Sequence, residues 1–106
     1  MLYRIMTGLD QDKHGAPIDP ELRDTTEEWG LLYLALHLGG GTAIRTHGSY
    51  KHDDGHIITE RGLLFEVYAP VEDEDKVRSF AAGLRYRLDQ ESVMFTIHPV
   101  NATEFV

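Results

Sequence analysis

Arginine, histidine and glutamate recur in this sequence inside segments that alternate like strands. Arg4, Arg45, His47, Glu60, Glu66 and His98 are all expected on one face of a sheet. A guanidinium fork matches a carboxylate or phosphate, and a neighbouring imidazole adds a donor whose charge follows pH. The six residues therefore predict a ligand-binding face for a small anion, with Arg4 and Arg45 as anchors about two strand spacings apart, roughly 10 Å. A second reading pairs the same arginines with Glu60 and Glu66 in a neutral lattice.

Other constellations are weaker. His47, Ser49 and Glu60 have the types of a base, a nucleophile and an orienting acid, and a hairpin that sets Ser49 opposite Glu60 would bring them within reach. No strained nucleophile turn surrounds Ser49, so no catalytic residue is assigned. His47, His52 and His56 crowd one hairpin. A two-residue turn would send His52 to one face and the other two to the opposite face, so no metal site is expected within one chain. Asp10, Asp12 and Gly15 lack the spacing of a calcium loop and its closing Glu. Gly39-Gly40-Gly41 follows a helix end and lacks the Gly-Lys-Ser/Thr ending of a phosphate loop.

Composition narrows the classes further. The chain has 106 residues, the length of a single domain spanning residues 1–106. It contains no cysteine, which excludes disulfides, thiolate catalysis and cysteine-ligated metal. A formal charge of −8 argues against nucleic acid as a partner. No apolar run approaches a membrane span, and Met1-Leu2-Tyr3-Arg4 lacks the regions of a signal peptide, so a cytoplasmic protein is expected. No cofactor is expected, and no metal as part of folding.

The elements that must carry these residues read in order. Leu2 to Thr7 alternates as a first strand. Asp19-Pro20-Glu21 is a helix start, with Asp as cap and Pro in the first turn, and the glycine run after Leu38 stops that helix. Thr42–Lys51 and His56–Ala69 form a hairpin around Asp54-Gly55. Acidic residues 72–75 open a second helix, whose apolar stripe is Val77, Phe80, Ala81, Leu84 and Leu88. Ser92 to Val100 is the last strand, and a short tail ends in Phe105 and Val106. This βαββαβ order predicts an α+β, ferredoxin-like fold: a four-stranded antiparallel sheet of order 4-1-3-2 with both helices on one face.

A two-residue turn pairs Tyr50 with Thr59, His47 with Gly62 and Ile44 with Phe65. Ile44, Leu63, Phe65, Val67, Val93, Phe95 and Ile97 then face the helices, with Phe95 expected against Phe80. Trp29, Leu32, Tyr33 and Leu36 suffice for the buried stripe of the first helix. Leu31, Leu34 and Leu38 remain, which predicts self-association, a homodimer or larger, through that helix or the open sheet face.

Gly40-Gly41-Thr42, Gly48-Ser49-Tyr50, Gly55 with Glu60, and Gln90-Glu91-Ser92-Val93 together resemble a family of small bacterial and phage-borne proteins of unknown function. Here Tyr50 stands where that pattern has Trp. The resemblance implies a ferredoxin-like fold and brings no activity with it.

Three functional readings follow. The preferred one is a small oligomeric binding or regulatory module for a nucleotide or another small anion. The second is a dimeric ferredoxin-like enzyme using His47 or His98. The third is an acidic, phage-type protein inhibitor that acts by surface contact.

Overall fold

The computed structural model describes residues 1–104 and Val106; the expected apolar tail residue Phe105 lies outside the described residues. Strand β1 (Leu2–Gly8) is followed by α1 (Pro20–Leu38), β2 (Thr42–Lys51), β3 (Ile57–Tyr68), α2 (Glu74–Arg87) and β4 (Met94–His98). A single 3-10 turn, Val71–Asp73, leads into α2. Asp19 caps α1 by accepting the Glu21 N–H at 2.8 Å, as its position before Pro20 requires. The sheet is antiparallel with order β2-β3-β1-β4, the expected order read from the other edge. The fold is therefore α+β and ferredoxin-like. Among the described residues, no helix is long and apolar enough to cross a membrane.

The core lies between the sheet and the helices. Tyr3, Ile5, Leu63, Phe65 and Val67 rise from the sheet to meet Leu34 of α1 and Val77, Phe80, Ala81 and Leu84 of α2. Phe80 is its centre: Phe65 meets it edge-on at 5.2 Å, and Tyr33 and Trp29 lie at 5.3 and 5.7 Å. The expected partner Phe95 packs instead on Tyr3 at 5.9 Å, beneath the Arg78 guanidinium. Phe95 sits on edge strand β4, whereas Phe65 belongs to β3, against which α1 also packs.

Helix α1 is turned relative to the expected stripe. Thr26, Gly30 and Leu34 are its buried residues, while Leu32 and Leu36 are 57% and 79% exposed. The C-terminal half of α1 is apolar nearly all round, so its pattern carries no phase. Packing supplies one: the Phe65 ring occupies the space that a methyl at Gly30 would need. Leu34 thus belongs to the chain's own core, contrary to the expectation that it was spare.

The β2–β3 register also differs from expectation. Gly55 N–H donates to the His52 carbonyl at 2.8 Å, and His52 N–H donates to the His56 carbonyl at 2.9 Å. The loop therefore holds three residues, Asp53, Asp54 and Gly55, with Gly55 at φ +94°. A turn followed by a left-handed residue is a common three-residue hairpin, and glycine adopts that conformation at no steric cost. Each β2 residue consequently faces a β3 partner one place away from the expected one: Tyr50 opposes Ile58, Gly48 opposes Glu60, and Ile44 opposes Leu64. A one-residue slip exchanges the faces of a strand. Ile44, expected in the core, is 42% exposed on the open face.

Candidate functional site

The register decides which expected site residues can act together. Arg4, Glu66 and His98 keep the open face, as their partners across the sheet require, and Glu60, two residues before Gly62 on β3, shares it. Arg45 and His47 pass to the helix side, opposite Leu63 and Arg61. The expected pincer of Arg4 and Arg45 is not formed, because the two guanidinium groups project from opposite faces. Each already has a carboxylate: Arg4 bonds Glu66 at 3.1 Å, and Arg45 bonds Glu27 of α1 at 3.0 Å. His98 exchanges a hydrogen bond with Thr96 at 2.9 Å. Ser49 opposes Thr59 rather than Glu60, so the imagined trio of His47, Ser49 and Glu60 is split across the ribbon.

A different group converges at the root of the hairpin. β3 pairs with β1 from Gly62 to Tyr68, while Ile57–Arg61 pair with β2 alone. At that junction the β1–α1 loop, the hairpin and the α2–β4 loop enclose a cleft of about 320 Å³. Asp10, Tyr50, Glu60, Gln90 and Glu91 line it. Tyr50 and Glu60 also wall a second hollow on the open face, with Met6, Gly8 and Met94.

Local bonds hold this cleft in shape. Asp10 receives the Arg61 backbone N–H at 2.7 Å and its guanidinium at 2.8 Å. Burial pushes the Asp10 carboxyl upward, but those bonds outweigh it and hold it below its ordinary value. The Gln90 amide donates to the Gln11 carbonyl at 2.8 Å, and Lys13 pairs with Asp89 at 3.1 Å. The loops either side of the cleft are thus tied to each other.

Glu60 is the unusual member. Its carboxylate lies over the backbone of Gly8, in space that any side chain there would fill. It forms no ion pair among the described residues, and burial, followed by the nearby Asp10 charge, raises its pKa above the ordinary value. Asp12 and Glu91 are likewise without an ion-pair partner among the described residues. Lys13, the cation lining the cleft, is already taken by Asp89. The cleft is therefore net negative, with the Tyr50 ring half exposed beside it. Such a surface suits a small cation carrying a flat apolar group and disfavours an anion.

Tyr50, Gln90 and Glu91 line the cleft although none belongs to the set expected from residue type alone. Their signal was present in the Gly48-Ser49-Tyr50 and Gln90-Glu91-Ser92-Val93 segments. These segments are far apart in sequence, and both line this cleft together with Glu60.

No protein-family model matches this sequence, and no curated protein matches it. Among solved structures, the chain is similar to a phage SAM lyase in complex with S-methyl-5'-thioadenosine, with 24% identity and a TM-score of 0.58 over 89% of this chain and 76% of that one. A phage SAM lyase in the apo state aligns with 24% identity and a TM-score of 0.57, over 89% of this chain and 75% of that one. At this level of identity the likeness shows the shared fold.

Proposed function

We propose that the protein binds a cationic nucleoside of the S-adenosylmethionine class in the cleft of Tyr50, Glu60 and Gln90, and cleaves it to release S-methyl-5'-thioadenosine. The observation that carries this reading is Glu60, a half-buried carboxylate with no cationic partner among the described residues, facing a cleft with an aromatic ring beside it. A sulfonium nucleoside supplies both complements: positive charge for Glu60 and Glu91, and a flat base for Tyr50. The solved lyase with its bound thioadenosine supports the same ligand class. Cleavage balances without water or a redox partner. The electron pair of the bond between sulfur and the methionine γ-carbon leaves with sulfur, and the substrate's own carboxylate closes on that carbon. The protein's part is to hold the sulfonium and exclude water.

Calorimetry and product chromatography test this reading. S-adenosylmethionine should bind and yield S-methyl-5'-thioadenosine, while S-adenosylhomocysteine, which lacks the sulfonium charge, should bind at least about tenfold more weakly, a loss of about 1.4 kcal/mol. Glu60→Gln should lose both binding and turnover with the fold intact. If ATP shifts the melting temperature and S-adenosylmethionine does not, the anion reading returns. Its site is then the cleft beneath α1, where Arg23, Arg45 and Arg61 gather.

We also propose that copies of the chain associate through the open sheet face. Ile44, Tyr68 and Met94 leave it 42%, 57% and 57% exposed on one side of the sheet. Light scattering should show a homo-oligomer that Ile44→Glu dissociates. A monomer at high concentration overturns this.

A further inference from the structure

The three-residue loop that shifts the register has a second consequence, at the far end of the arm. His52 and His56 close the loop as a pair, so both side chains lie on one face of the ribbon instead of opposite faces. Their imidazoles stack with centroids 5.1 Å apart. Asp54, in the middle of the loop, folds back between them. Its Oδ1 accepts the His56 backbone N–H at 3.1 Å, contacts His56 Nδ1, and lies 3.5 Å from His52 Nδ1. The three ligand atoms lie within 4.8 Å of one another, the one such convergence of three histidine or acidic side chains among the described residues.

We infer that His52, Asp54 and His56 form a binding site for a single divalent transition-metal ion of the zinc, copper or nickel kind. Two imidazole nitrogens and one carboxylate oxygen are the donor set of such ions, whereas calcium and magnesium prefer oxygen throughout. Bonds of about 2.0–2.1 Å place tetrahedral ligands roughly 3.3 Å apart. The separation of Asp54 from His52 is close to that already, and side-chain rotation at an exposed tip closes the remainder without moving the backbone. All three residues are exposed, so the other coordination positions are open to water. Asp54 sets the ligand geometry before metal arrives, because its bond to the His56 N–H fixes the carboxylate over the loop.

This site is separate from the Glu60 cleft. His56 immediately precedes β3 and stands four residues before Glu60, roughly 13 Å at ~3.3 Å per residue, so one ion does not serve both. The two proposals therefore stand or fall independently.

The test titrates Zn2+ into the tag-free chain by calorimetry and records Cu2+ electron paramagnetic resonance. One equivalent should bind, with superhyperfine coupling to two imidazole nitrogens. His52→Ala, Asp54→Ala and His56→Ala should each weaken binding about tenfold or more, while His14→Ala and His47→Ala should leave it unchanged. Without any substitution, paramagnetic Co2+ should shift the ring resonances of His52 and His56 and leave His37 and His98 in place. Retention of stoichiometric binding by the double variant His52→Ala/His56→Ala overturns the assignment. So does a failure of the wild-type chain to bind Zn2+ or Cu2+, in which case Asp54 serves the turn alone.

Discussion

The two ends of β3 are built from similar residues and live in different surroundings. Leu63 and Phe65 have strands on both sides, Val67 pairs with Tyr3 of β1, and with the helices packed on that face each of the three is at most 2% exposed. Ile57, at the other end of the same strand, has β2 on one side only and is 64% exposed. A two-stranded ribbon is marginal by itself in water. The arm therefore keeps its shape through its turn and through the Asp10–Arg61 clasp at its root, while the body keeps its shape through burial. The proposed binding groups belong to the less buried end. Glu60 and Tyr50 at the root, and the histidine pair at the tip, all lie where the sheet has narrowed to two strands.

The contrast is open to measurement. Phe65→Ala removes a ring packed edge-on to Phe80 and should cost about 3–5 kcal/mol in chemical denaturation. A near-neutral result would mean that the core is not centred on Phe80. Gly55→Ala forces a side chain to φ +94° and should cost roughly 1–2 kcal/mol. It should also disturb the His52–His56 pair in nuclear Overhauser spectra. An unperturbed hairpin would return the turn to two residues, and with it the original face of Arg45.

Glu60 gives a smaller effect with a definite sign. Its pKa is raised in the folded chain, so the stability it contributes is present below the ordinary carboxylate range and is lost as pH rises through its folded value. Glu60→Gln should therefore melt like the wild type in acid and slightly above it near neutrality, while losing ligand. Melting curves across pH decide this. A variant less stable at neutral pH would mean that Glu60 has a structural partner and that the cleft is not poised for a cation. The smallest effect belongs to the arm surface: Ile57→Ser should change stability by no more than about 0.5 kcal/mol. A larger loss, dependent on protein concentration, would show that the arm is covered by another copy.

Much of the fold was legible residue by residue. Asp19-Pro20-Glu21 and the glycine run after Leu38 bracket α1 where the structure has it, because capping chemistry is local. The α2 stripe from Val77 to Leu84 is buried as its spacing required. Helix α1 was legible in extent but not in rotation, since leucines on every side leave the phase to Phe65 and Gly30.

The sequence by itself determined the order and type of the elements, the absence of thiol chemistry and the acidic charge. It also held the segments around Tyr50, Glu60 and Gln90 that line one cleft. Only the tertiary structure decided which side chains meet. The dipeptide Asp54-Gly55 is compatible with a two-residue or a three-residue loop, and the two differ by one position of register. That position is set by the backbone bonds of His52 with Gly55 and His56. Because successive side chains of a strand alternate faces, it carries Arg45 and His47 away from Arg4 and brings His52 beside His56.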